Sequence, residues 1–244
     1  VILTIIIGAQ QGIWIGFCGV FLGMGLSGYR YRSSHILALM FAALGAFLIG
    51  TRILNYPFNP GEQQLPYLYF SDAWKWHDTL DISPRREVWG GLLLALAAVI
   101  VYAQFWSKDK LARNMGLWGV LGGAIGFPAG QSIQAYHAWY PEKFTTGIWE
   151  NLAAYANWWN MMETTFGAIM GATLGLGLWL NRKKIGGMTD SGTEKTMPIP
   201  VEVILLAVHC TLLFYVEFRA VRQIDVLYDL GLIMAVIPLV AVVS

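Results

Sequence analysis

The sequence predicts an all-α fold: a polytopic integral membrane helix bundle of about seven transmembrane helices, N-terminus outside and C-terminus inside. Three observations predict it. Charged residues make up only 13% of the 244 positions and hydrophobic residues 56%, where a soluble domain carries about 25% charged residues. Mean hydropathy is +0.52. Seven apolar stretches approach the roughly 20 residues that a helix needs to cross the hydrocarbon core, and Lys and Arg crowd the loops of one side.

The stretches lie at about 3–27, 35–54, 88–106, 113–133, 160–180, 200–219 and 224–243. The first is too long for the h-region of a signal peptide and lacks a basic n-region, so it reads as a true span. It carries Gly12, Gly16, Gly19 and Gly23. The second ends at Arg52. The fourth holds two interleaved series, Gly119 with Gly123 and Gly122 with Gly126 and Gly130, and Pro128 is expected to kink it near its outer end. The fifth repeats Gly167, Gly171 and Gly175. Small residues four apart let helix backbones approach closely, which is how membrane helices pack without a hydrophobic drive. The expectation is a single transmembrane domain over 1–244, with two longer loops at 55–87 and 134–159.

Orientation follows from charge. Loops 28–34, 107–112 and 181–199 hold Arg30, Arg32, Lys108, Lys110, Arg182, Lys183, Lys184 and Lys195, with Arg113 at the edge. Their density of Lys and Arg is roughly threefold that of the other side, which makes them cytoplasmic by the positive-inside rule. The long loops then face outward. Their Trp74, Trp76, Trp139, Trp149, Trp158 and Trp159 read as an aromatic belt at the interface or as a ligand-stacking surface.

Other chemistries have little support. A net charge of +1 and the lack of a basic block with interleaved aromatics give no footprint for nucleic acid. Cys18 and Cys210 each sit within an apolar run and read as small core hydrophobes, neither disulfide nor metal ligands. His35, His77, His137 and His209 are scattered, so no metal site is expected. No phosphate-binding glycine loop or nucleophile elbow occurs, and no cofactor is implied.

Ionisable and amide side chains converge at one depth, near the outer ends of the spans. Arg52 ends the second and Glu87 precedes the third. Gln131, Gln134 and His137 close the fourth, and Glu163 enters the fifth. Glu217 and Arg219 end the sixth, and Asp225 and Asp229 begin the seventh. Such groups are costly in hydrocarbon and default to functional candidates. They form either structural ion pairs, such as Arg222 with Asp225, or a polar cavity open to the outer leaflet. His209 and Glu202 stand apart, the former as a packing histidine.

The order of these features resembles the prolipoprotein diacylglyceryl transferase family. Gly45-Ala-Phe-Leu-Ile-Gly-Thr-Arg52-Ile-Leu is similar to its G-x-F-L-G-G-R-I-G segment, and Tyr67-Leu-Tyr-Phe with Trp74 to its Y-L-F-x-x-W stretch. Trp89-Gly90-Gly91-Leu92 takes the place of H-G-G-L, and Gly122-Gly-Ala-Ile-Gly-Phe127 that of G-R-x-G-N-F. Met162-Glu163, with the basic end at Arg182-Lys183, resembles the Q-L-Y-E helix, and Val216-Glu217-Phe218 resembles V-E-F-F-R. The resemblance spans about residues 12–243. It implies seven spans in the bacterial cytoplasmic (inner) membrane and a lipid ligand. The chain departs from the family where its chemistry sits. Trp89 replaces the histidine, Ala124 and Phe127 replace the signature arginine and asparagine, and Leu213 falls near another arginine. A tryptophan cannot act as general base and an alanine cannot clamp a phosphate, so the family's own reaction is not expected. Arg52, Glu163 and Glu217 are retained.

Two functions fit. The first is a diverged relative that binds a phospholipid or other lipid in an outer-leaflet cavity. Arg52, Gln131, Gln134 and Arg219 would be its lipid-binding residues, and His137, Glu163 and Glu217 its acid–base candidates for a lipid-dependent transfer. The second is a non-catalytic subunit of a larger membrane complex. Its partners would be other membrane proteins, docked on aromatic loops and glycine faces.

Overall fold

The computed structural model describes residues 8–67, 69, 84, 86–152, 157–186, 200, 203–204, 207–208 and 211. Among the described residues up to 186, six α-helices follow in order: α1 (Gln11–Leu26), α2 (Ser33–Leu54), α3 (Trp89–Val101), α4 (Lys110–Trp139), α5 (Ile148–Leu152) and α6 (Trp158–Leu180). A 3-10 turn at Gly8–Gln10 leads into α1, and a π-helical turn at Tyr102–Trp106 ends α3. Among the described residues no β-strand forms; Asn59 and Gln64 make one isolated antiparallel bridge. The all-helical class is therefore as the sequence predicts.

Among the described residues three helical segments are long and apolar enough to cross a membrane: Gly8–Leu26, Ser34–Leu54 and Trp89–Trp106. They coincide with the first three apolar stretches. The last two stretches, 200–219 and 224–243, lie almost wholly outside the described residues.

The chain divides into two units. One comprises Val1–Arg30 with Ala38–Gly186, and the other Tyr31–Leu37 with Gly187–Ser244. In the second unit the described residues 200, 203–204, 207–208 and 211 are helical, and Thr211 Oγ1 donates to the Ala207 carbonyl at 2.7 Å.

The first unit is built on glycine. α1 and α4 run antiparallel with their backbones in near contact: Gly12, Gly16, Gly19 and Gly23 face Ala124, Val120, Met115 and Ala112 in turn. A Cβ on Gly23 would stand 2.5 Å from Ala112 Cα, so no larger residue fits there. The opposite face of α4 takes α6, also antiparallel. Gly122, Gly126 and Gly130 meet Met170, Phe166 and Met162, and Phe127 sets its ring edge-on to Phe166 at 5.6 Å. The last turn of α2 meets the first turn of α3 through Gly50, Gly90 and Gly91. There the buried Asn55 side chain accepts from Gly90 N at 2.8 Å. Asp109 caps α4 by accepting from Leu111 N and Ala112 N, both at 2.9 Å.

Two expectations change. α4 does not stop at 133 but runs unbroken through Pro128 to Trp139, so the loop expected at 134–159 opens with helix and contains α5. Burial of Ala135 and the tilted Tyr136–Tyr140 pair one turn apart, at 5.0 Å, extend the helix beyond its apolar stretch. Pro128 lies inside this continuous helix. Cys18 is exposed, not core, since it points away from the glycine face that α1 buries. Among the described residues, no atom outside the helix's own backbone lies within 4 Å of where a Cβ on Gly167, Gly171 or Gly175 would be. α6 turns Met162 and Gly177 inward and leaves that stripe outward.

Candidate functional site at the junction of α4 and α6

After α4 the chain turns at Pro141–Phe144 and folds back over the helix end. Proline at the first position of this turn suits a fixed φ with no N–H to satisfy. Lys143 N donates to the Tyr140 carbonyl at 3.1 Å, and Thr145 Oγ1 to that of Glu142 at 2.9 Å. Gly147, with φ of +68°, redirects the chain into α5. Asn157 caps α6 by accepting from Trp159 N at 3.0 Å. These turns bring aromatic rings together from three elements.

Phe144 is the hub. Its centroid lies 4.6 Å from Trp158, 5.1 Å from Trp149, 5.0 Å from His137 and 6.0 Å from Tyr136. His137 stacks flat on Trp158 at 4.0 Å with 15° between planes. The rings wall a cleft of about 520 Å³, lined also by Ser132, Ile133, Lys143 and Met161. That volume is within the range of small-ligand sites. Lys143 stands over Tyr136 and Tyr140, 5.2 and 4.5 Å from their centroids, and its Nζ donates to Tyr136 Oη at 2.8 Å. The hydrogen bond to Tyr136 raises the ammonium pKa above the usual lysine value, with smaller contributions from Tyr140 and Glu142. The cleft thus pairs an apolar aromatic body with one fixed positive charge at its edge. That combination suits an amphiphile with an anionic head. A cationic head would meet repulsion from Lys143 on the ring faces it needs.

The residues singled out in the sequence fall in three places. His137 belongs to this ring cluster, though its imidazole is occupied in stacking. Glu163 is one turn into α6, exposed, where its carboxylate accepts from Trp159 Nε1 at 2.7 Å. Gln131 and Gln134 are half-buried on α4. Gln131 turns toward Gly8, and its buried Oε1 finds no hydrogen-bond partner among the described residues. Arg52 lies elsewhere, over the Tyr56 ring at 4.9 Å, a ring that Arg86 also covers at 5.3 Å. Glu217 and Arg219 lie outside the described residues, as do His209, Glu202, Trp74 and Trp76. Glu87 is buried immediately before α3.

The sequence reads Trp149 and Trp158 as part of an aromatic belt or a ligand-stacking surface, and does not single out Ser132, Tyr136, Lys143 and Phe144 as lining residues. The signal was present in the run Tyr136-His137-Ala-Trp139-Tyr140-Pro141-Glu-Lys143-Phe144. Aromatics four apart, then a proline turn, return the following aromatic onto the helix. Among the described residues no cluster of His, Cys, Asp or Glu is arranged to hold a metal ion. Comparison with family models, curated proteins and solved structures finds no match to this chain.

Proposed function

We propose that this chain is a seven-span membrane protein, N-terminus outside and C-terminus inside, that holds a phospholipid or other lipid in an outward-facing cleft at the junction of α4 and α6. The observation that carries the proposal is the aromatic cleft with Lys143 at its edge. Besides the three apolar spans, α4 and α6 have the length to cross. At 1.5 Å per residue their 30 and 23 residues reach about 45 and 35 Å, against a hydrocarbon core of about 30 Å. The apolar stretches at 200–219 and 224–243 supply the remaining two. The ring cluster then sits at interface depth, where an acyl chain and a headgroup part company.

Kinship with prolipoprotein diacylglyceryl transferases is part of this reading and rests on motif order. The family's own reaction is not, because Trp89, Ala124 and Phe127 stand where its functional side chains belong. His137, Glu163 and Glu217 remain the acid–base candidates for another lipid-dependent transfer. Location in a bacterial inner membrane follows from the same resemblance.

A second reading, a structural subunit of a membrane complex, is favoured by one observation. The stripe Gly167, Gly171 and Gly175 on α6, open among the described residues, is a surface on which another helix could pack closely.

Native mass spectrometry of gently extracted protein decides between them. A co-purified lipid that is retained by the wild type and lost in Trp149→Ala supports lipid holding. A lipid-free chain that always appears with stoichiometric protein partners would sink it and leave the subunit reading.

A further inference from the structure

The other end of the same two helices, about 30 Å from the cleft at 1.5 Å per residue, carries a chain of hydrogen bonds that α1, α3, α4 and α6 close together. Arg113 donates from Nε and Nη2 to Asn114 Oδ1 (3.0 and 2.7 Å) and from Nη1 to Gln104 Oε1 (2.7 Å). Asn114 Nδ2 donates to Asn181 Oδ1 at 2.7 Å, and the same oxygen accepts from Lys184 Nζ at 2.6 Å. Asn181 is buried and donates to the Gly177 carbonyl at 2.8 Å. The π-helical turn at Tyr102–Trp106 contains Gln104 and so carries it to Arg113. The turn at Arg182–Lys184 is fixed in place by Gly186, whose N donates to the Leu26 carbonyl at 3.0 Å and whose Cα packs on Gly28.

The electrostatics of this arrangement are one-sided. Among the described residues both cations are held by neutral carboxamide oxygens, and the chain of bonds itself neutralises neither positive charge. A guanidinium has five N–H donors and an ammonium three. The bonds above engage three and one of them, which leaves two donors on each group among the described contacts. A purely mechanical tie between helix ends would be served by uncharged amides throughout. Two preorganised cations with spare donors are what a phosphate oxyanion requires, through charge-assisted hydrogen bonds and the bidentate fork of arginine. Exposed Phe105, Trp106 and Trp179 flank the network and set it at headgroup depth.

We infer that Arg113 and Lys184 form a phosphate-binding site, distinct from the aromatic cleft. The oxyanion comes from the headgroup of an anionic phospholipid or from a soluble phosphate ester. The site does not depend on the lipid-holding role of the cleft.

The test uses the full chain in phosphatidylcholine nanodiscs, with thermal melting read against added phosphatidylglycerol and, separately, inorganic phosphate. Phosphatidylglycerol is expected to raise Tm, with apparent affinity about tenfold weaker in Lys184→Gln, the loss of one charge-assisted contact. The glutamine amide can still donate to Asn181, so the variant folds. Arg182→Gln, which removes a neighbouring exposed charge, is expected to keep the wild-type response. Inorganic phosphate that raises Tm and competes with the lipid identifies a soluble ester as the source; a response to lipid alone identifies the membrane. The inference is overturned by no shift with either probe, or by equal losses in Arg182→Gln and Lys184→Gln. It is likewise overturned if Lys184→Gln keeps the shift and Trp149→Ala abolishes it, which would assign the lipid to the cleft.

Discussion

A single methyl group separates the two kinds of glycine in this protein. At Gly23 a Cβ would press on the Ala112 backbone at 2.5 Å, whereas at Gly171 it would meet nothing within 4 Å among the described residues. Gly23→Ala must push α1 off α4, at a cost of about 1–3 kcal/mol, and is expected to lower the melting temperature in detergent. Gly171→Ala removes a flexible residue from an open helix face. The isolated chain should be unchanged or gain up to about 1 kcal/mol. If Gly171→Ala instead strips a co-purifying protein, the α6 stripe is a docking face and the subunit reading gains. Lys143 makes a pH prediction at the same scale. Its folded pKa is raised by the hydrogen bond to Tyr136. The stabilisation is therefore complete below the ordinary lysine pKa of about 10.4 and disappears as pH rises through the higher folded value. Thermal melts across the alkaline range should show this small loss in the wild type and not in Lys143→Met.

Elements are held in register by buried amides and caps. Asn55 is almost fully enclosed and accepts the Gly90 N–H where α2 ends and α3 begins. Asn55→Ala leaves that donor buried and unpaired, a loss of about 1–3 kcal/mol. Faster proteolysis between α2 and α3 should accompany it. Asp109→Ala removes the acceptor for two N–H groups at the start of α4 and should cost about 1 kcal/mol. Asp109→Ser, which can still cap, should recover most of the lost melting temperature. Much of this scale was legible in advance. Five of the stretches, by glycine pattern and apolar length, foretold where α1 to α4 and α6 lie to within a few residues, except at the end of α4. That end is set outside the apolar stretch by the tilted contact of Tyr136 with Tyr140, which hydropathy does not register. The stripe on α6 is open among the described residues. Spacing shows that a helix can be approached closely, but not whether anything approaches.

For the whole molecule, orientation decides which end meets which solution. In a background with Cys18 and Cys210 replaced by alanine, Lys143→Cys should react with an impermeant maleimide in intact cells. Lys183→Cys should react only after lysis. The reverse pattern would turn the bundle over and place the aromatic cleft on the cytoplasmic side. The sequence by itself determined the membrane class, the helical content and the glycine faces that join α1 to α4. Those depend on local properties: low charge, apolar length and small residues at helical spacing. Only the tertiary structure decided the candidate sites. The cleft needs the Pro141 turn to lay Phe144 between rings of α4, α5 and α6. The Arg113–Lys184 chain is closed by Asn114 and Asn181, 67 positions apart. No local pattern encodes such partners, because antiparallel packing of α4 and α6 alone brings their ends to the same depth.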